Sequence, residues 1–309
     1  MQHSIRPAGY GLGFVMAFAG GCLWGFSGAC SQFLFTRCSL TSEWLVPWRL
    51  MIAGSLMVLA SILRKGKGAF AVWRTPRHAR RLLVFGLLGM SGCQYTYLTA
   101  IQHSNAGTAT VLQYLGPALI MVYLCVRERR LPKALEVLVL ALDLAGIFLI
   151  ATHGSIHTMA LSREALFWGL LSAVFVAVYT LSPVSLLAHY DSFEVVGWGM
   201  FVGGIAMMLW KHPWTMGVQL TGEIAFYTGC VIVLGSVAAF TLYVEGVRRI
   251  GPGKGSLVSS IEPVSAALFA VFWLGVALTA ADLAGFVCIL LTIIPVSYTH
   301  LTLPTTSRV

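Results

Sequence analysis

The sequence predicts an all-α integral membrane protein of ten transmembrane helices, arranged as two inverted-topology repeats of five helices. Three observations carry this prediction: the composition, ten long apolar segments, and a similarity between the two halves. Of the 309 residues, 58% are hydrophobic and 10% are charged, with a mean hydropathy of +0.83. An average soluble domain carries about 25% charged residues. So few charges cannot cover a soluble globule, which excludes a soluble enzyme.

Ten apolar segments have the length needed to cross a bilayer, about 20 residues each. We predict spans at residues 10–33, 44–63, 82–102, 107–126, 135–152, 165–187, 193–210, 225–245, 254–274 and 280–296. Since ten is even, both chain ends are expected on the same side of the membrane.

The basic residues are divided unevenly between the loops on the two sides. With the N-terminus in the cytoplasm, fifteen Lys and Arg residues fall on the cytoplasmic side, and only Arg37, Arg163 and Lys211 fall in outer loops. Because positive charge marks cytoplasmic loops, we predict a multi-pass protein of the plasma (inner) membrane with both termini cytoplasmic. The same asymmetry explains the net charge of +9 without a nucleic-acid partner.

Neither a metal nor a cofactor is expected from the sequence. The seven cysteines are scattered through apolar runs and form no CxxC pair, which argues against a zinc site or a disulfide framework. The chain has no HExxH pair and no glycine-rich phosphate loop followed by Lys and Ser or Thr. We therefore predict that the protein is not an enzyme.

The two halves of the chain resemble each other. A gapless shift of 146 residues pairs Leu88-Gly89 with Leu234-Gly235, Tyr97 with Tyr243, Gly107 with Gly253 and Pro117 with Pro263. A shift of 139 residues pairs the DLAG segment at 143–146 with the DLAG segment at 282–285. Since five spans is an odd number, the second copy must enter the membrane in the opposite sense. We predict repeats at 10–152 and 165–296.

The last residues, 297–309, do not follow the pattern of the apolar spans. They are polar and rich in threonine, and they resemble the translation of a sequencing adapter fused to a truncated reading frame. We interpret this segment as a non-native tail and leave it out of the repeats.

Short motifs in matching order resemble the drug/metabolite transporter superfamily, in its ten-span EamA-type branch. They are Gly21-Cys22-Leu23-Trp24-Gly25, Pro47 followed by Arg49, Leu115-Gly116-Pro117, Glu262-Pro263 and the two DLAG segments. The resemblance covers residues 10–296. It implies transport of amino acids, metabolites or drugs, more often export than import, by alternating access around a central cavity.

Glu262 is the deepest acidic residue that the sequence places within a span. It lies eight residues beyond Lys254, which is about 12 Å along a helix and near the midplane. A buried acid in lipid is costly and is therefore a functional candidate, as a site for a substrate ammonium group or a proton. The alternative is a packing residue hydrogen-bonded to a neighbouring Ser or Tyr. The adjacent Pro263 removes a backbone donor, so that carbonyls near Ser260 are expected to face a cavity.

The other candidates for substrate binding are polar and aromatic residues in spans near Glu262. They are Trp24, Gln94, Tyr97, Gln113, Tyr114, Tyr179 and Ser260. Gln113 and Tyr114 lie in the stretch of the fourth span equivalent to that of Glu262, and Gln94 lies one turn from Tyr97 on the same helix face. An aromatic-walled cavity suits amino acids or amphipathic cations. Packing is the alternative role for each aromatic residue.

Arg49 lies about five residues inside the outer end of its span, and its role is left open by the sequence. Its long stem allows the guanidinium to reach the interface. Pairing with Glu43 or Glu262 and contact with a substrate carboxylate are the alternatives.

Together these features predict a secondary transporter that exports amino acids or small metabolites or drugs around a midplane cavity. A multi-span receptor or scaffold, and an importer of a small polar metabolite, are the alternatives. The expected partners are a small-molecule substrate (an amino acid, a metabolite or an amphipathic cation) and the lipid bilayer, with protons as a further candidate. We expect no nucleic acid, no cofactor and no metal, and a monomer or weak dimer.

Overall fold

The computed structural model describes residues 10–153, 160–251, 255, 258, 259 and 261–301. Over these residues the chain is helical, without strands, as the sequence predicts. Large apolar side chains cover much of the outside of the bundle; Phe272 is 83% exposed and Leu63 is 79% exposed. Such a surface fits lipid and not water.

The long helices of the first half are α1 Tyr10–Arg37, α2 Ser42–Lys65, α4 Pro76–Val84, α5 Ser91–His103, α6 Ala106–Gln113, α7 Gly116–Arg127 and α8 Ala134–Thr152, with the short α3 Ala71–Arg74 after α2. The second half contains α9 Arg163–Leu181, α10 Val184–Leu187, α11 Ser192–Lys211, α12 Gly222–Gly229, α13 Ala239–Ile250, α14 Ile261–Phe272 and α15 Ala280–Leu301. Turns of 3-10 helix occupy Gly66–Phe70 and Pro213–Thr215. Segments of π-helix join α4 to α5 at Phe85–Met90 and α12 to α13 at Cys230–Ala238.

Polar residues immediately before several helices fix where these helices begin. The side chains of Asn105, Ser162, Asp191 and Thr221 accept hydrogen bonds from the first turns of α6, α9, α11 and α12. Each cap satisfies a backbone N–H that has no partner within its helix. These caps place the starts of α9 and α11 within two residues of the predicted spans.

Seven helical segments among the described residues are long and apolar enough to cross a membrane. They are Gly11–Arg37, Ser42–Arg74, Ala106–Arg127, Ala134–Thr152, Arg163–Leu187, Ser192–Lys211 and Gly222–Ile250. The other predicted spans, 82–102, 254–274 and 280–296, coincide with the helical stretch 76–103, with α14 and with α15. α14 and the first part of α15 are shorter apolar helices. The count of ten spans therefore stays a prediction.

α2 and α11 form the most extensive helix pair, and they run antiparallel. The backbone of α11 at Phe201 lies against Gly54, and the backbone of α2 at Met51 lies against Gly204. Glycine at these positions lets the helices approach at backbone distance, because a Cβ atom would meet main-chain atoms.

An ion pair closes each end of the α2–α11 pair. Glu43 near the start of α2 accepts a 2.6 Å hydrogen bond from Lys211 at the end of α11, and Lys65 at the end of α2 donates a 2.8 Å hydrogen bond to Glu194 in the first turn of α11. We call the end with Glu43 the outer end and the end with Glu194 the inner end. Acids in first turns and lysines in last turns also complement the helix dipoles.

We predict that the inner ion pair contributes more to stability than the outer pair, because Glu194 is almost fully buried. Its side chain is 4% exposed, whereas that of Glu43 is 45% exposed. Lys65→Met would leave the Glu194 carboxylate unpaired, and we expect a loss of about 1–3 kcal/mol. Glu43→Gln is expected to cost no more than about 1 kcal/mol. Thermal unfolding of both variants in detergent measures the difference.

The double variant Lys65→Met/Glu194→Met serves as the control for this comparison. Removing both partners leaves no buried unpaired charge, so its stability should return towards that of the wild type. Equal losses of stability in Lys65→Met and Glu43→Gln would contradict the prediction that the burial of Glu194 makes the inner ion pair more important.

Most of the other helices pack against one another in corresponding pairs from the two halves. α1 packs against α13 and α14, and α9 packs against α5 and against the α6–α7 stretch. α8 packs against α15.

The contact between α8 and α15 joins the two DLAG segments. A Cβ atom on Gly146 would meet the carbonyl oxygen of Gly285 and the side chain of Ile289, and one on Gly285 would meet the carbonyl oxygen of Gly146 and the side chain of Ile150. Residues at equivalent positions therefore contact each other reciprocally, as at a two-fold axis.

Candidate functional site

The stretch predicted as a single fourth span is broken where two candidate residues lie. α6 ends at Gln113, and α7 begins at Gly116 with Pro117 at its first turn. Because Pro117 has no N–H, the carbonyl of Gln113 cannot receive the helical hydrogen bond from residue 117, and the helix is interrupted at this point. The break leaves Tyr114 between the two helices, and its hydroxyl donates a 3.4 Å hydrogen bond to the carboxylate of Glu262.

Glu262 lies in the first turn of α14, at the point where this helix crosses α1. The crossing is close because α1 presents Gly25 there: a Cβ atom at Gly25 would meet Ser265 Oγ, the Ala266 nitrogen and the Glu262 carbonyl oxygen. The Ser265 hydroxyl donates to the Glu262 carbonyl at 2.8 Å. The position of the carboxylate is therefore set by the α1–α14 contact.

Tyr97 reaches the same region from α5. Its hydroxyl lies 2.7 Å from Thr110 Oγ1, and the Thr110 hydroxyl donates a 2.6 Å hydrogen bond to the carbonyl of Ala106. Because the Thr110 proton is used in that bond, Tyr97 must be the donor to Thr110. Tyr97 is 8% exposed, and a Cβ atom at Gly28 of α1, three residues beyond Gly25, would meet its hydroxyl.

The two glutamines differ in their surroundings. Gln113 donates a weak 3.7 Å hydrogen bond to the sulfur of Cys93, and it directly precedes Tyr114, which donates to Glu262. Gln94 is 9% exposed, and its carbonyl oxygen is buried with no hydrogen-bond partner among the described residues. The structure therefore connects Gln113 with the Glu262 region, and it gives no such contact for Gln94.

Two of the predicted aromatic residues pack against aromatic side chains of the other half of the chain. Trp24 of α1 lies edge to face with Phe240 and tilted against Tyr243, both at ring centroid distances of 5.1 Å. Tyr179 of α9 packs against Phe85 at 5.6 Å. Ser260, also a predicted site residue, lies outside the described residues.

These side chains lie deep in the bundle and yet are not sealed off. Gln113, Tyr114, Tyr179, Tyr243 and Glu262 are all half-buried. They come from the α6–α7 break, α9, α13 and α14.

Arg49 is also part of this region, and it does not reach the membrane interface as its position near a span end suggested. Only 4% of the residue is exposed. Its Nε donates to Ser236 Oγ at 3.0 Å, and its Nη2 donates to the carbonyl of Gly235 at 3.4 Å. A Cβ atom at Gly235 would meet Ser27 of α1, two residues beyond Gly25, which faces the main chain of Glu262.

Two residues of this region were not among the predicted site residues, although signals existed for one. Tyr243 is the residue that the 146-residue shift pairs with Tyr97, so the repeat itself pointed to it. Ser236 receives Arg49 because it lies in the π-helical segment, where it donates to the carbonyl of Val231 five residues earlier. No sequence pattern that we used predicts such a segment.

One family model matches most of the chain. Its description is EamA-like transporter family, and it matches residues 11–152 and 163–298.

Named relatives are described as transporters without a known substrate. The uncharacterized inner membrane transporter YicL of Salmonella typhimurium is 35% identical over 275 residues, which are 89% of this chain and 91% of the relative. An uncharacterized transporter of Archaeoglobus fulgidus is 25% identical over 238 residues, 77% of this chain and 80% of the relative.

A solved crystal structure also aligns with the chain. The TM-score is 0.63 at 17% identity, and the alignment covers 95% of this chain and 99% of the other. At this identity the similarity shows a shared fold and nothing about substrate.

Proposed function

Because the chain belongs to the EamA-like transporter family, we propose that this multi-pass membrane protein is a secondary transporter that exports amino acids or other small metabolites or drugs. The observation that carries the proposal is the half-buried carboxylate of Glu262, in the second half of the chain, which accepts a hydrogen bond from Tyr114 of the first half. An acid held in the interior of a membrane protein is costly unless a cation or a proton neutralises it.

In this proposal Glu262 binds the ammonium group of the substrate, or a proton when the substrate is absent. Tyr114 orients the carboxylate by its hydrogen bond. Trp24, Tyr97, Tyr179 and Gln113, together with Tyr243, form the wall around the substrate, and aromatic faces favour a cationic or apolar side chain. The predicted roles of Gln94 and Ser260 in binding remain part of the proposal without a contact that supports them.

We further propose that the two halves are inverted repeats and that transport occurs by alternating access, in which one half rocks against the other. Three features support this. The matched family segments, 11–152 and 163–298, nearly coincide with the predicted repeats. Helix contacts made by the first half have counterparts in the second half, and Gly146 and Gly285 of the two DLAG segments contact each other in the same way from both sides. The π-helical segments Phe85–Met90 and Cys230–Ala238 also lie at positions related by the 146-residue shift.

The reciprocal DLAG contact gives a prediction for paired variants. Gly146→Ala and Gly285→Ala each place a Cβ atom against the carbonyl oxygen of the other glycine. We expect each to lower stability by about 1–3 kcal/mol, the usual cost of overpacking, and to do so by similar amounts. Thermal unfolding in detergent checks this, with Gly229→Ala as control because a Cβ atom there meets nothing within 4 Å. A large loss in only one of the two variants would contradict a two-fold contact.

The orientation in the membrane follows from the charge asymmetry. We propose that the protein lies in the plasma (inner) membrane with both termini cytoplasmic, so that Lys65 and Glu194 face the cytoplasm and Glu43 and Lys211 face outwards.

The glycines of the long helices pack inside one chain: Gly13, Gly21, Gly25, Gly199 and Gly203 already face other helices of the bundle. These glycines are therefore used inside the monomer, which agrees with a monomer or weak dimer.

Uptake into proteoliposomes tests the proposed function. The purified protein would be reconstituted and offered labelled amino acids and one aromatic cation, with and without a pH gradient. Saturable flux that changes with the gradient is the expected result. Flux that is independent of the gradient would remove the proton from the proposal, and binding without flux would indicate a receptor.

A further inference from the structure

We propose that Arg49 binds the carboxylate of the substrate while Glu262 binds its ammonium group, so that the substrate class is the zwitterionic α-amino acids and not amphipathic cations. This inference rests on the proposed transport function and narrows its substrate. It assigns to the buried arginine a task that its contacts within the chain do not explain.

Arg49 is a buried cation without an anionic partner. It makes no ion pair with any carboxylate in the described part of the chain, where the ion pairs involve other basic residues. Its two hydrogen bonds go to neutral groups, the Ser236 hydroxyl and the Gly235 carbonyl. A buried charge of this kind is expensive to keep unless a counter-charge arrives.

The guanidinium also retains free hydrogen-bonding capacity. It has five N–H donors, and its bonds to Ser236 and Gly235 use the Nε and Nη2 atoms. The remaining nitrogen, Nη1, has no hydrogen-bond partner among the described residues. A guanidinium with free N–H groups is the usual protein partner of a carboxylate.

Arg49 and Glu262 are positioned to share one ligand. They do not form an ion pair with each other. Both lie against the same part of α1: Gly235, whose carbonyl accepts a hydrogen bond from Arg49, faces Ser27, and the main chain of Glu262 faces Gly25. An α-amino acid carries opposite charges on adjacent atoms and can neutralise both residues at once. A monovalent cation would neutralise Glu262 and leave Arg49 unpaired.

The alternative is a purely structural role, in which Arg49 holds the π-helical segment of the eighth predicted span. Ser236→Ala separates the two roles because it removes the acceptor of Nε and leaves the guanidinium in place. If Arg49 is structural, Ser236→Ala should behave like a substitution of Arg49. If Arg49 binds substrate, Ser236→Ala should retain most of the binding.

The experiment measures binding by isothermal titration calorimetry to the full-length protein in detergent. The probes are L-phenylalanine, its methyl ester and phenethylamine, and the matching aliphatic set of L-leucine, its methyl ester and isopentylamine. The ester and the amine keep the ammonium group and lack the carboxylate. The variants are Arg49→Lys, which keeps a positive charge, and Ser236→Ala, and each is compared with the wild type at matched folded fraction.

We expect at least one amino acid to bind the wild type at least ten-fold more tightly than its ester and amine. Arg49→Lys should weaken the binding of that amino acid at least ten-fold and leave the weak binding of the amine unchanged. Ser236→Ala should change the affinity for the amino acid less than three-fold. Equal binding of amine and amino acid, unchanged binding in Arg49→Lys, or no binding of either amino acid would each overturn the inference. Flux of the amine without preference for the amino acid would overturn the role of Arg49 and leave the proposed transport function standing. Selective binding of the amino acid without flux would support the role of Arg49 and overturn the transport function.

Discussion

Glu262→Gln is expected to reduce the saturable flux into proteoliposomes at least about ten-fold. The substitution keeps the size of the side chain and removes the negative charge. A hydrogen bond to a charged group contributes about 1.5–3 kcal/mol, which corresponds to a factor of ten or more in affinity. The remaining flux should no longer depend on pH, because the group that exchanges the proton for the substrate is absent. Initial rates at several pH values measure both effects.

Glu128→Gln is the matched control for this variant. Glu128 is the same residue type, but it lies at the inner end of α7, exposed and paired with Arg130. Contacts with Glu136 raise the pKa of Arg130 above its ordinary value, so Arg130 stays charged in either variant. Glu128→Gln should therefore leave the flux unchanged. If Glu262→Gln behaved like Glu128→Gln, Glu262 would be a packing residue and the proposed site would be wrong.

Gly25→Ala is expected to lower both stability and flux, because it acts on the α1–α14 contact that positions Glu262. The new Cβ atom would meet the Ser265 hydroxyl and main-chain atoms of Glu262 and Ala266. Main-chain atoms cannot rotate away, so α14 must shift. We expect a loss of about 1–3 kcal/mol in unfolding free energy, as for other overpacked positions, and a several-fold loss of flux in the protein that remains folded.

Gly11→Ala provides the comparison within the same helix. A Cβ atom at Gly11 meets nothing within 4 Å, and alanine is a better helix former than glycine by about 0.8–1.0 kcal/mol. This variant should therefore be neutral or slightly more stable, with unchanged flux. Equal effects of the two substitutions would show that the α1–α14 contact does not position the site.

Several features of the fold could be predicted from the sequence because they depend on apolar length and charge. The predicted spans 44–63, 135–152 and 193–210 agree within two residues with α2, α8 and α11 at both ends. These helices are long and apolar enough to cross a membrane, so length and hydropathy define them. The resemblance to EamA-type proteins is likewise confirmed by the family match.

Other features could not be predicted because they depend on contacts between distant parts of the chain. The helix break at Tyr114 and Leu115 lies inside an apolar run, and Pro117 is the one sequence feature that indicates it. Arg49 was left with three alternatives because its burial depends on Ser236, 187 residues away. Among the site residues, Tyr114 and Glu262 form the hydrogen bond that the alternative role of Glu262 required. Whether that pair also binds substrate stays a prediction.

The measurement that tests the central claim most directly is solute counterflow in proteoliposomes. Vesicles loaded with an unlabelled amino acid would be diluted into a trace amount of the same labelled amino acid, without any ion gradient. A transporter that alternates access must exchange the two, so label should accumulate transiently above its external concentration in wild-type vesicles and not in Glu262→Gln vesicles. Label that binds without accumulating, for every amino acid and for the aromatic cation, would contradict transport through this site.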